Sequence, residues 1–239
     1  MTYNQTEFDI RLEWGIKGVE QLSPISDVII LVDVLSFSSS VDIATSNEAI
    51  IYPYAWKDQR AIEYAKSIDA DLASLGRKTT HGHSLSPDSL TKISKGTKLV
   101  LPSPNGSTLS LSTGKTTTLC GCLRNAKAVA EYASKVGKSI AVIPAGERWR
   151  QDWSLRPAFE DLLGAGAIIS YLKGRLSPES KTALAVFCSL QKHILEELKN
   201  CSSGKELIER GFEADVILAS QLNISKCVPI LKEGAYRKV

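Results

Sequence analysis

Apolar residues along this chain fall into two alternating spacings. VIILV (28–32) is an unbroken apolar run, mostly β-branched, of the kind a strand buried on both faces requires. EFDIRLEW (7–14) instead alternates apolar and polar residues, which predicts a half-exposed strand at a sheet edge. Further strands are predicted at AIIYPY (49–54), DLASL (71–75), TKLVLP (97–102), TTTLCG (116–121), SIAVIPAG (139–146) and KCVPILKEG (226–234). Between them lie helical periods. One begins near Ser38, where a run of hydroxyls can cap it; others are DQRAIEYAKSI (58–68), a short segment after Asn105-Gly106-Ser107, and NAKAVAEYASKV (125–136). The last third reads as three long helices, at 156–174, 178–200 and 204–223. Strands alternating with helices predict an α/β fold, a mostly parallel or mixed central sheet covered on both faces. No Ser/Gly linker or fixed-length repeat divides the chain, so residues 1–239 are expected to form one domain.

Composition narrows the class. With 43% hydrophobic residues in 239, the chain can bury a substantial core. VIILV covers only a fraction of the roughly 20 apolar residues a membrane span needs. The first ten residues lack the charged, apolar and small-residue regions of a secretory signal, which predicts a cytoplasmic protein. Five cysteines without regular spacing argue for reduced thiols rather than a disulfide framework. A net charge of +3, with Lys and Arg scattered, is too small for a nucleic-acid surface and suits a small acidic ligand. Assembly into a homo-oligomer stays open.

Ligands of open α/β sheets bind beyond the carboxyl ends of strands, where helix N-termini present free N–H groups. Three such ends carry polar chemistry here. The first is Asp33 followed by Ser38 and Ser39; a carboxylate closing an apolar strand needs a cation or donors, so it either holds a metal or caps the next helix. The second is SPNGST (103–108): Gly106 allows close backbone approach to an anion, Ser107 and Thr108 offer hydroxyls, and Asn105 an amide, which together read as a phosphate cradle or as an ordinary turn. The third runs from PAGERW (144–149) to RPAFED (156–161). It contributes Glu147, the guanidinium forks of Arg148 and Arg156, and Glu160 and Asp161 in the first turn of a helix that Pro157 can start. The small-residue stretch GAGA (164–167) would let that helix pack close to the sheet. His81 and His83 are a separate candidate pair for a metal site, set in a polar loop.

In order and spacing, VDVLSFSSSVDIA, SPNGSTLSLS, GCLRNAKAVA, VIPAGERW, RPAFEDLLGAGAII and ADVILASQLNISKCVPILKEG resemble the 2-phosphosulfolactate phosphatase family, Mg²⁺-dependent phosphatases with a layered α/β/α fold. The resemblance implies a small phosphorylated organic acid as substrate, 2-phosphosulfolactate or a related ester. It marks Asp33, Asn105, Gly106, Glu160 and Asp161 as pocket residues, and Ser107 stands where members carry threonine. On this reading Asp33, Asn105 and Ser107 are catalytic, and Ser38, Ser39, Gly106, Thr108, Arg148 and Arg156 bind substrate. Glu147, Glu160 and Asp161 hold Mg²⁺, which suits hard oxygen ligands. One motif departs: members read Asp-Val-Leu-Arg followed by Ala, and here Ser36 and Phe37 take those two places. Two alternatives follow, a phosphate- or organic-anion-binding protein of the same fold without turnover, and a hydrolase built around His81 and His83.

Overall fold

The computed structural model describes residues 2–79 and 82–239. The chain enters through β1 (Ile10–Leu12), α1 (Gly15–Leu22), β2 (Val28–Val32), α2 (Phe37–Ser46), β3 (Ile50–Tyr54), α3 (Gln59–Ser67) and β4 (Asp71–Leu72). A polar loop and a 3₁₀ turn at Pro87–Leu90 lead to β5 (Lys98–Pro102), α4 (Gly106–Ser112), β6 (Thr117–Gly121), α5 (Ala126–Val136) and β7 (Ile140–Pro144). A small hairpin, β8 (Glu147–Arg148) with β9 (Leu155–Arg156), precedes α6 (Phe159–Ile169), α7 (Pro178–Leu190), α8 (Ile194–Asn200), α9 (Ser202–Glu209) and α10 (Glu213–Ala219). The chain then closes with β10 (Pro229–Lys232) and β11 (Ala235–Lys238).

Among the described residues nine strands form one sheet in the order β1-β7-β2-β6-β10-β11-β3-β5-β4. Within β1-β7-β2-β6 every pairing is parallel, as it is within β3-β5-β4. The β10–β11 hairpin sits between the two blocks and pairs antiparallel with β6 on one side and β3 on the other. Three successive reversals therefore leave β3, β5 and β4 running opposite to β2. The five strand steps from β2 to β5, at roughly 20–25° of twist each, turn the strand axis by roughly 100–125°. The chain leaving β5 nonetheless meets the chain leaving β2, where the Gly106 N–H reaches Asp33.

Alternate residues of each strand face opposite layers. Val28, Ile30 and Val32 pack with Val142 against α5, α6 and α7, while Ile29, Leu31 and Ile143 meet Val19 and Leu22 of α1 and Leu109 of α4. A third cluster joins Phe37 and Val41 of α2 to Ile51, Leu99, Leu101 and Tyr236. The architecture is three-layer α/β/α. All five residues of β2 are buried, as expected for a strand flanked on both sides.

Several elements differ from the sequence reading. β1 is an edge strand, but Ile10, Arg11 and Leu12 are all buried, because the segment leading into α7 runs along it; the Ser177 N–H donates to the Ile10 carbonyl at 2.9 Å. Helix α1 was absent from the pattern. The predicted helix 178–200 breaks into α7 and α8, and 204–223 into α9 and α10, the latter at Gly211 with φ +85°. The single strand predicted at 226–234 is a hairpin, turned at Glu233 and Gly234 with φ of +51° and +76°. These positive angles are those of the primed turns that fit strand twist. No helix among the described residues is long and apolar enough to cross a membrane.

Candidate functional site

The chain leaving β2, β5 and β7 converges on one cavity of about 830 Å³. At its floor lies Asp33, only 8% exposed. Its Oδ1 accepts the Phe37 N–H at 3.1 Å and its Oδ2 the Gly106 N–H at 3.0 Å, so one carboxylate caps the first turns of both α2 and α4. Backbone does approach an anion at Gly106, as the cradle reading requires, but that anion is the protein's own carboxylate. Space explains the glycine: a Cβ there would overlap the buried Phe37 ring.

Beside Asp33 stands Glu147, whose Oε2 accepts from Asn105 Nδ2 at 2.9 Å. Glu160, 2% exposed, lies behind it and accepts a weak hydrogen bond from the Cys201 thiol at 3.5 Å. Burial and this carboxylate push the Cys201 thiol up to about 12. The acids strain one another. Burial, opposed by the two N–H donors and reinforced by Glu160, lifts Asp33 to about 6. Burial, then repulsion from Asp33 and Glu160, lifts Glu147 to about 7, against the pull of Arg156 and the Asn105 amide.

Asp161 has a different place. It does not line the cavity; Oδ1 accepts the Val34 N–H at 2.7 Å and Oδ2 the Gly146 N–H at 2.8 Å. It thereby ties the chain after β2 and the chain after β7 to the start of α6, although burial and the neighbouring acids raise its pKa. Close packing of α6 on β2 makes this reach feasible, since Gly164 lies so near Val34 that an added Cβ would sit 2.6 Å from its Cγ2.

The structure brings Asp33, Asn105, Glu147, Arg148 and Arg156 together on the cavity wall. It does not bring Ser38, Ser39, Gly106, Ser107, Thr108 or the expected metal ligand Glu160 there. Ser38 Oγ accepts the Asp33 N–H at 2.5 Å, and the other three hydroxyls donate to the carbonyls of Val34, Leu101 and Pro104 at 2.8, 3.0 and 2.7 Å. These hydroxyls build the turns that aim the carboxylate. His83 Nδ1 bonds to the Ser89 carbonyl at 3.0 Å within its own loop, and His81 lies outside the described residues.

The sequence reading gave the rest of the wall no site role. Lys57, Arg77, Arg150, Trp149, Trp153, Glu206 and Arg210 all line the cavity. Lys57 follows the end of β3, so the strand-end rule applied to Asp33 would have found it; Arg210 at the end of α9 carries no local signal.

Among the described residues no group of three or more His, Cys, Asp or Glu side chains is placed to hold a metal by itself. Mg²⁺ asks for less, commonly one or two carboxylates with waters and substrate phosphate completing its shell. Asp33 and Glu147 line the cavity and supply two such carboxylates, both raised in pKa chiefly by burial and then by repulsion among the acids.

The 2-phosphosulpholactate phosphatase family model matches residues 17–234. A 2-phosphosulfolactate phosphatase of Methanothermobacter thermautotrophicus is 28% identical over 87% of this chain and 88% of its own length. Proteins named "Probable 2-phosphosulfolactate phosphatase" include one from Carboxydothermus hydrogenoformans, 36% identical over 59% of this chain and 58% of its own. Another, from Thermotoga maritima, is 29% identical over 87% and 90%.

Proposed function

The chain belongs to the 2-phosphosulpholactate phosphatase family, a family of phosphoric monoester hydrolases, and from that premise we propose that its cavity hydrolyses a small phosphorylated organic acid with Mg²⁺ as cofactor. The substrate is 2-phosphosulfolactate, which the relatives' names carry, or a related ester.

One observation carries this reading: a buried carboxylate, Asp33, and a half-buried one, Glu147, face a cavity whose remaining charged wall is almost entirely cationic. Carboxylates repel a phosphate dianion, so the two groups share a site only with positive charge between them. Asp33 and Glu147 would hold Mg²⁺, with Glu160 adding field from behind. When bound, the ion offsets the negative charge of the phosphoryl oxygens. The chain's own residues do the positioning. Phe37 and Gly106 N–H groups fix the Asp33 carboxylate, and the Asn105 amide fixes Glu147. Arg156, anchored by Ser203 Oγ at 3.2 Å and lying 5.9 Å from the Trp149 ring, is held at the rim to bind phosphoryl oxygens. Arg148, donating to the Trp153 carbonyl at 3.3 Å, stands beside it.

A panel of phosphate monoesters assayed with and without Mg²⁺ tests the proposal. Turnover is expected to require the ion, and Asp33→Asn to lower kcat at least about a hundredfold in a protein that still unfolds cooperatively. Unchanged kinetics in that variant would remove Asp33 from the site, and binding of esters without product release would favour an anion-binding protein.

A further inference from the structure

We propose that Lys57, Arg77 and Arg210 form a second oxyanion subsite, which binds the acid group of the substrate that is not transferred. The three cations come from separate parts of the chain: the loop after β3, the loop after β4 and the end of α9. All three line the same cavity, and two of them flank one aromatic ring. Arg77 and Arg210 lie 5.5 and 5.9 Å from the centroid of Phe212, which orients both guanidinium groups without neutralising them.

Local carboxylates leave this wall under-compensated. Asp215, 1% exposed, pairs with Arg77 at 2.7 Å, and Arg77 also donates to Ser36 Oγ at 3.0 Å. Asp215 is itself fixed by Ser86 Oγ and the Asp88 N–H, so Arg77 is pinned in the cavity wall from behind. Glu206 divides its single charge between Arg150 at 3.2 Å and Arg210 at 3.3 Å. Lys57 has no ion-pair or hydrogen-bond partner among the described residues. With Arg150 counted beside the three, four cations of the cavity lining share two ion-pair partners, Asp215 and Glu206. Desolvation, then the neighbouring Arg77 and Arg210, lower the Lys57 pKa, against the smaller pull of Asp33 and Glu147 across the cavity.

Such a cluster is costly to keep empty and favourable to fill. The phosphoryl end of the substrate belongs with Asp33, Glu147 and Arg156, so this wall is left for a different oxyanion on the same molecule. That a phosphate ester is the ligand rests on the phosphatase reading above. The subsite makes the enzyme selective for esters bearing a second acid group, and Ser36 contributes by holding Arg77 rather than by touching the substrate.

A matched pair of esters tests this. 2-Phosphoglycerate and glycerol 2-phosphate differ only by a carboxylate in place of a hydroxymethyl group. With Mg²⁺ present, the wild type is expected to prefer 2-phosphoglycerate by about tenfold or more in kcat/KM. Lys57→Met and Arg210→Gln are each expected to cut that preference severalfold, through KM for 2-phosphoglycerate rather than kcat. Lys57→Met alters a loop side chain with no hydrogen bond or ion pair among the described residues to lose, so it keeps the test informative should Arg210→Gln unfold. An unaltered preference in the folded variants, or equal losses on both esters, would overturn the subsite, the second result placing the cluster on the transferred phosphoryl group. Calorimetric binding of the same two esters separates the two readings. Tighter binding of 2-phosphoglycerate without cleavage of either ester sinks the phosphatase reading and leaves the subsite; cleavage or binding of both without discrimination sinks the subsite alone.

Discussion

Glu147 carries an opposition between stability and function that can be measured. Its carboxyl titrates at about 7 in the folded chain against an ordinary value of 4.5. Below pH 4.5 the group is protonated in folded and unfolded chains alike and costs nothing. Between 4.5 and 7 the unfolded chain ionises while the folded chain resists, so stability falls across that window and stays lower above it. Glu147→Gln removes the charge yet keeps an acceptor for the Asn105 amide. It is expected to stabilise the metal-free protein by roughly 1–3 kcal/mol at pH 8 and to leave it unchanged near pH 4; equal denaturation midpoints at both pH values would show that Glu147 is not destabilised by its surroundings. Asp161 behaves differently because both its oxygens accept backbone N–H groups. Asp161→Asn turns an amide donor toward one of them, and should cost roughly 1–3 kcal/mol in urea unfolding without shifting the Mg²⁺ concentration for half-maximal activity. A moved titration would restore Asp161 as a metal ligand. Asp33, Asn105, Glu147, Arg148 and Arg156 were legible because each stands at or near the end of a strand, where the fold class places ligands. The cap formed by Asp161 was not, since an acid in a first turn looks the same whether it faces solvent, a metal or two distant amides.

At the scale of elements, helix periods were readable and their interruptions were not. Leu190, Ile194 and Leu198 keep a four-residue spacing straight across the gap between α7 and α8, so the apolar pattern hides that break. The breaks at Gly211 and at Glu233-Gly234 each had only a glycine as signal, which loses its force inside an otherwise continuous apolar pattern, and Glu233 is not a residue that primed turns favour. The short β8–β9 hairpin, two residues a side, is beneath any period. The junction of α2 with α4 depends on Gly106 for room. Gly106→Ala is expected to lower stability by roughly 1–3 kcal/mol, because Phe37 is locked against Tyr236 with ring centroids 6.1 Å apart and cannot yield. It should also lower kcat/KM by pulling the Gly106 N–H from Asp33. Full activity and stability together would show that the ring has somewhere to go.

Across the whole molecule, the antiparallel insertion of β10 and β11 decides how the two parallel blocks cohere. Tyr236 is fully buried in this hairpin, with its hydroxyl 2.8 Å from Ser110 Oγ of α4. Tyr236→Ala therefore removes a ring from the seam between the blocks. A loss of about 3–5 kcal/mol is expected in denaturant unfolding, a large part of an ordinary domain's stability; a loss under about 1 kcal/mol would mean the blocks hold without it. The α/β class was readable from alternating strands and helices, but the reversal of β3, β5 and β4 was not, because pairing direction is settled by residues far apart in sequence. While the chain is being synthesised, β6 and β3 stand with open edges until residues 229–238 emerge, so joining the blocks is a late, long-range step. In that interval the same edges are open to the matching hairpin of a neighbouring chain, so exchange of this segment between nascent copies is the misassembly this topology invites.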